Sequence, residues 1–326
     1  MTINKVRERK VENELGPHCN MINFSFQLKP KPPFRLDLTA WALRRRPDNA
    51  VDRWDGRTYG RVLVINGRPF EIEVTQTGTL DIPGVQIAVT GPQLSPRLKS
   101  TVTSTLERML GFRTDLSDFY SFARRDKKLW ELSQRFLGLK PPRFPDLFEA
   151  LANGFSCQQL SLSVGIILLS RLAMNYGVPF QKRDSIVYSF ALPDRLARSE
   201  VQALRSLGFS RNKGRFLIEL AQKVTQETPD LNRIENLDNE ATLKELYQLR
   251  GVGRWTAEYV LLRGMGRLHV FPADDIGARN KLKSIPNLRK PLDNEGVNRI
   301  LGRWKPYGGF VYIHLLLDGL SEEGYL

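Results

Sequence analysis

The sequence predicts an α+β front domain, an antiparallel sheet with helices, followed by an all-α domain. Three observations predict it. Short pieces with alternating apolar residues fill much of the first third. Helical spacing of apolar residues, punctuated by Gly and Pro, runs through the rest. No repeat with a period of about 20 to 50 residues is visible. The 326 residues suffice for two domains. The predicted division is a flexible tail at 1–21, a small antiparallel α+β domain at 22–112 and a helical domain at 113–326.

The strand-like pieces begin at Phe24. Arg61 to Ile65, Pro69 to Val74 and Val85 to Val89 are bounded by Asn66-Gly67, Thr77-Gly78 and Pro83-Gly84. Phe70, Ile72 and Val74 alternate, as in a half-buried antiparallel sheet. Leu38 to Arg46 reads as a helix lying on that sheet. Its Arg44-Arg45-Arg46 end reads as solvated. Ser95 to Met109 opens on a Ser/Pro cap signal and repeats Leu98, Val102, Leu106 and Leu110 at one face. Further helices are predicted at Asp115 to Ala123, Leu129 to Phe136, Pro145 to Gly154, Gln158 to Tyr176, Arg195 to Leu204 and Ser210 to Gln226. Thr242 to Leu249, Trp255 to Arg263, Asp275 to Leu282, Asp293 to Trp304 and Phe310 to Gly319 complete the series.

Charge points to the partner. The chain carries 49 Lys and Arg against 35 Asp and Glu, a formal net charge of +14. Such an excess favours a polyanion, because Lys and Arg gain by displacing phosphate counterions. Two cysteines, Cys19 and Cys157, cannot build a disulfide framework or a four-cysteine zinc or iron–sulfur site. The three histidines (His18, His269, His314) are too scattered for a His-rich metal site. The first sixteen residues, MTINKVRERKVENELG, have no apolar core of a signal peptide. The longest apolar run is too short to span a bilayer. The expected location is the cytoplasm, or the nucleus in a eukaryote.

The chemistry concentrates between Leu249 and Asp275, in LRGVGRWTAEYVLLRGMGRLHVFPADD. A helix ending at Leu249 is broken by Gly251-Val252-Gly253, and Thr256, Ala257 and Tyr259 resume helical spacing. Two glycines two apart allow positive φ and close approach of a ligand to the backbone. The free N–H groups at the start of the second helix suit a phosphate, and Arg254 adds charge. Gly-x-Gly alone is equally a plain helix–turn–helix corner. Downstream, Pro272-Ala273-Asp274-Asp275 brings two carboxylates to a helix start, where either could be a simple N-cap.

Together these residues resemble the helix-hairpin-helix DNA glycosylase superfamily, whose hairpin reads Leu-Pro-Gly-Val/Ile-Gly-Arg/Lys-x-Thr-Ala. Leu249, Gly251, Val252, Gly253, Arg254, Thr256 and Ala257 match; Arg250 stands where proline is usual. Gln158-Gln159-Leu160-Ser161 resembles the family's Gln-Gln-x-Ser element. Gly208-Phe209-Ser210 with Lys213, and Trp304-Lys305-Pro306-Tyr307, resemble two further elements. The strand-rich front is similar to the TBP-like domain of bacterial AlkA-like enzymes (DNA-3-methyladenine glycosylase II).

The resemblance implies a monofunctional enzyme of base excision repair. It would flip out an alkylated purine of the 3-methyladenine or 7-methylguanine type and hydrolyse its glycosidic bond, leaving an abasic site. Asp275 would be catalytic, with Asp274 as cap or backbone tether. Arg250, Gly251, Val252, Gly253, Arg254 and Thr256 would hold DNA, and Gln159 and Leu160 would fill the gap left by the extruded nucleotide. Trp255 and Tyr259 would line the base pocket. Lyase relatives carry lysine where this chain has Trp255, so no Schiff base is expected. The carbonyls of Tyr247, Leu249 and Gly251 would hold a monovalent cation (Na or K), the only cofactor implied. The expected partner is double-stranded DNA with a damaged base, bound by a monomer with no membrane contact. AlkA-like relatives carry a tryptophan at about Leu316, so the pocket is expected to be reshaped. The alternatives are a glycosylase for an oxidised or deaminated base and a non-catalytic DNA-binding protein.

Overall fold

In the computed structural model, residues 21–92, 95–284 and 292–326 are described. The predicted tail, with His18 and Cys19, lies outside them apart from Met21. The front comprises β1 (Ile22–Leu28), α1 (Leu36–Arg44), β2 (Arg53–Trp54), β3 (Thr58–Ile65), β4 (Arg68–Gln76), β5 (Val85–Gly91) and α2 (Leu98–Leu110). Then follow α3 (Ser117–Ala123), α4 (Lys127–Arg135), α5 (Leu147–Cys157), α6 (Leu162–Tyr176), β6 (Pro179–Gln181), β7 (Ile186–Tyr188), α7 (Pro193–Ala197) and α8 (Val201–Ser206). The chain continues through α9 (Arg211–Thr225), α10 (Leu231–Glu235), α11 (Asn239–Tyr247), α12 (Arg254–Arg263), α13 (Ile276–Ser284), α14 (Asn294–Gly302) and α15 (Gly308–Glu322).

The front sheet is antiparallel, in the order β1-β5-β4-β3-β2. Asn66 (φ 51) and Gly67 (φ 72) form the two-residue turn that joins β3 to β4, with Ile65 opposite Arg68. Two positive φ values match the twist that such a hairpin needs. Ile72, Val74, Ile87 and Val89 turn one face inward, against Leu36, Ala40 and Leu43 of α1 and Val102 and Leu106 of α2.

The opposite side of α1 is equally apolar. Leu38, Trp41 and Ala42 join a second core with α3, α4 and α15. α1 therefore lies on the sheet as expected, and is clamped between two cores. Each buried leucine contributes about 2 kcal/mol. The clamp has a consequence at the C-terminal end of α1, which is not the solvated run expected from Arg44-Arg45-Arg46. Arg45 takes a left-handed conformation (φ 61) and is only 4% exposed. Arg44 covers Trp41 and Arg46 pairs with Glu323.

A third core gathers α5, α6, α9 and α12. α12 lies between it and the second core, giving Ala257, Val260 and Leu261 to one and Leu262 to the other. Two local readings need revision. The hairpin β6–β7 lies within the helical part, where Phe180 and Val187 pack on Val62 of β3. Its strands are only three residues each, too short to show an alternating pattern. The stretch expected as one helix from Arg195 to Leu204 is instead α7 and α8, parted at Ser199 and Glu200.

A buried ion cluster joins the sheet to α5. Arg61 of β3 reaches Asp52 at 2.7 Å and also Glu149, and the Tyr59 hydroxyl donates to Asp52 at 2.6 Å.

Candidate active site

Gly251 makes the hairpin possible. Its φ is +88, and a Cβ there would lie 2.3 Å from the Phe216 ring. The turn thus needs both the left-handed conformation and the missing side chain. α12 then starts at Gly253 without any side-chain cap, and Gly253 faces open space. Its first N–H groups have no intrahelical partner by construction, which suits an anion.

The side chains around this turn divide into ligand-facing and internal ones. Arg250 and Arg254 are exposed; Arg250 pairs with Glu219 at 3.2 Å and Arg254 with Glu258 at 2.8 Å. Glu258 also accepts from the Ala273 N–H at 3.0 Å, bracing α12 against the Pro-Ala-Asp-Asp loop. Val252 is half-buried against the third core. Thr256 is buried, and its hydroxyl accepts from Gln158 Nε2 at 2.6 Å. A DNA contact through the Thr256 side chain is therefore ruled out by packing; only its backbone N–H is left for one.

The loop after α5 differs from the expected helix at Gln158. α5 ends at Cys157, and α6 begins at Leu162 under a Ser161 cap. Between them Gln159 stands exposed with φ +53, and Leu160 is 41% exposed. Gln158 points inward and donates to the Gly251 carbonyl at 2.9 Å. Lys213, near the start of α9, donates to the Ser156 and Gln158 carbonyls and so fastens the same loop from below.

Asp275 lines a cavity of about 380 Å³, together with Leu160, Trp255, Tyr259 and Leu316 among others. The Trp255 and Tyr259 rings stack, with centroids 5.2 Å apart and 17° between planes. The carboxylate of Asp275 is tied on both oxygens. Oδ1 accepts from the Ala278 N–H at 2.9 Å, so Asp275 is the N-cap of α13. Oδ2 accepts from Trp255 Nε1 at 3.2 Å and from the Tyr312 hydroxyl at 2.8 Å. Cap and cavity carboxylate are one residue. Asp274, expected as cap or tether, instead pairs with Arg279 at 2.9 Å on the exposed side. The two adjacent carboxylates have the cap position swapped because only the second lies three residues before the N–H of Ala278.

Four more residues of this cavity carry chemistry that the sequence did not single out. Arg45 donates to the Tyr259 hydroxyl at 3.1 Å and to Asn153 at 2.5 Å. Arg263 is fully buried, and its Nε and Nη1 have no hydrogen-bond partner among the described residues. Both guanidinium groups lie over the Phe144 ring, at 5.6 and 5.4 Å. Lys281 is held by Asp318 and Glu322. Tyr312 lies one helical turn before Leu316 on α15, and that spacing was the available signal for it. Burial first, and the Asp275 charge second, push the Tyr312 phenol well above its ordinary pKa, so it remains a proton donor.

The donor set for a hairpin cation can be checked by its free lone pairs. The Leu249 carbonyl accepts from the Val252 N–H and the Gly251 carbonyl from Gln158. Each of these two oxygens keeps a second lone pair.

Fold and cavity together define a helix-hairpin-helix protein with a carboxylate at a base-sized pocket. Residues 156–306 match the family described as HhH-GPD superfamily base excision DNA repair protein. Among curated relatives it is 29% identical over 202 residues to the DNA-3-methyladenine glycosylase of Bacillus subtilis (strain 168), covering 62% of this chain and 66% of that one. It is 30% identical over 178 residues to DNA-3-methyladenine glycosylase 2 of Escherichia coli (strain K12), covering 55% and 60%. The chain thus spans less than two thirds of each relative's length. The solved 3-methyladenine DNA-glycosylase from Archaeoglobus fulgidus shares the fold, with a TM-score of 0.78 at 24% identity over 90% of this chain and 97% of that one.

Proposed function

We propose that the protein is a monofunctional DNA N-glycosylase that removes alkylated purines and leaves an abasic site. The observation that carries this reading is the Asp275 carboxylate in a cavity lined by stacked Trp255 and Tyr259. The names of the two curated relatives support the lesion class.

In this reading the uncapped start of α12 and Arg250 and Arg254 grip the phosphate backbone, which needs no base contact. Gln159 and Leu160, exposed at the loop tip, enter the gap in the stack. A cation on the Tyr247, Leu249 and Gly251 carbonyls would supply further positive charge beside the phosphate. The C1′–N bond breaks with its electron pair leaving on the base, and positive charge builds on the sugar. The Asp275 anion stabilises that charge. A water oxygen then bonds C1′ and releases a proton to solvent. A purine alkylated at N3 or N7 already carries a positive charge and leaves without a strong general acid.

The indole of Trp255 offers no amine. The cavity's lysine, Lys281, is paired with two carboxylates, Asp318 and Glu322. One observation favours a second reading, a neutral oxidised or deaminated base. Arg45 and Arg263 line the cavity, and the free Nε and Nη1 of Arg263 would suit a carbonyl oxygen better than a cationic ring. A panel of defined duplexes decides between the two. The first reading predicts fastest release of 3-methyladenine or 7-methylguanine, with strand breaks only after heat or alkali and no borohydride-trapped adduct. Release of only neutral oxygen-bearing bases contradicts the lesion class, and a trapped adduct contradicts the hydrolytic route.

A further inference from the structure

We infer that Tyr312 is a positioning residue for the Asp275 carboxylate, its hydroxyl acting with the Trp255 indole N–H to fix which carboxylate oxygen faces the sugar. The inference rests on the reading of Asp275 as the group that meets the sugar. A carboxylate on a short side chain rotates freely unless its oxygens are held. Here three donors from three elements hold it: the Ala278 N–H in α13, the Trp255 indole in α12 and the Tyr312 hydroxyl in α15. An ionised carboxylate has about four lone-pair sites, two on each oxygen. Oδ2 accepts twice and is filled. Among the described residues Oδ1 accepts once, so its remaining lone pair is the one that can face developing positive charge.

The clamp is itself held in place. The Tyr312 ring meets Phe271 edge to face, with centroids 5.6 Å apart at 86°. Phe271 immediately precedes the Pro-Ala-Asp-Asp turn, so the ring that sets the hydroxyl also touches the loop that carries the carboxylate. Donors to a carboxylate in general favour its ionised form, so the removal of one is read in a pH profile. The other titratable or charged side chains lining the same cavity are Tyr259, Cys157, Arg45, Arg263, Lys281 and Glu323, and the test leaves all of them in place.

A buried tyrosine hydroxyl also needs a partner for purely structural reasons, so the test must separate the two roles. Tyr312→Phe keeps the ring and its contact with Phe271 and removes only the donor. Single-turnover base release would be measured across pH, on the panel duplex that the wild type processes fastest, beside Asp275→Asn. The expected result is a rate about tenfold to hundredfold lower at neutral pH, the loss of one hydrogen bond to a charged group. The acid limb of the pH profile should move to higher pH, and KM should change less than about twofold. Should Tyr312→Phe melt early, Trp255→Phe removes the other donor and carries the same expected displacement of the acid limb. An acid limb coincident with that of the wild type overturns the inference, whatever the rate. Asp275→Asn as active as wild type would remove the underlying reading, and with it the clamp. Asp275→Asn inactive beside an unchanged Tyr312→Phe removes the clamp alone.

Discussion

A methyl group on Gly251 has nowhere to go: the backbone is left-handed there and the Phe216 ring occupies the space. Gly251→Ala should therefore cost about 1–3 kcal/mol in hairpin strain. Because the turn aims the free N–H groups of α12, duplex affinity should fall as well, by about tenfold. A fluorescence-anisotropy titration checks this, and unchanged affinity would show that the grip lies elsewhere. At the same scale, Gly251, Trp255, Tyr259 and Asp275 were legible because their spacing within one stretch is local. Arg45 was not. Its burial follows from α1 packing on two cores at once, and no pattern inside α1 reports a core built by residues some 270 positions later. The choice between Asp274 and Asp275 as cap was equally closed to sequence, since either type and position serves a helix start.

The joint between the sheet and α5 depends on a shared cation. Arg61 serves two buried carboxylates, Asp52 and Glu149. Burial opposes charge on Asp52, but Arg61 and the Tyr59 hydroxyl outweigh it and hold its pKa below the ordinary value. For Glu149 burial prevails over the pull of Arg61, and its pKa rises to about 7. The sign follows from proton counting. From about pH 4.5 to about 7 the folded state keeps a proton on Glu149 that the unfolded chain has lost. That contribution is full below the unfolded pKa and is lost as pH rises through about 7. His314, held down to about 4 by burial, acts oppositely, its contribution fading as pH falls from about 6.5 to about 4. Wild-type melting alone blends the two, so the difference from Glu149→Gln is the cleaner measure. The variant should melt with the wild type near pH 4 and above it near pH 8. A variant less stable only near pH 8 would show Glu149 ionised and paired. None of this cluster was legible from sequence, because Asp52, Arg61 and Glu149 meet through tertiary packing alone.

For the molecule as a whole, the order of elements was legible where periodicity is strong. The strands β3, β4 and β5 and most helices fall within a few residues of their expected places, because each alternates or repeats apolar residues along one face. The hairpin β6–β7 is too short to carry such a signal. The cavity-facing side of α15 was hidden for the opposite reason: ten residues between Gly308 and Leu320 are buried, so no single apolar face stands out. Tyr312 went unread on that account. The global arrangement brings four distant parts of the chain to one place: the end of α1, the loop after α5, the hairpin with α12, and the start of α13 beneath α15. The chain as a whole carries a net charge of +14. In the proposed function this site presents the Asp275 carboxylate to a sugar in DNA. It is tested most directly by base release from methylated duplex DNA, comparing the wild type with Asp275→Asn alongside their duplex affinities. The account predicts release at least about a hundredfold slower in the variant, with affinity retained. Base release by Asp275→Asn at the wild-type rate would contradict it.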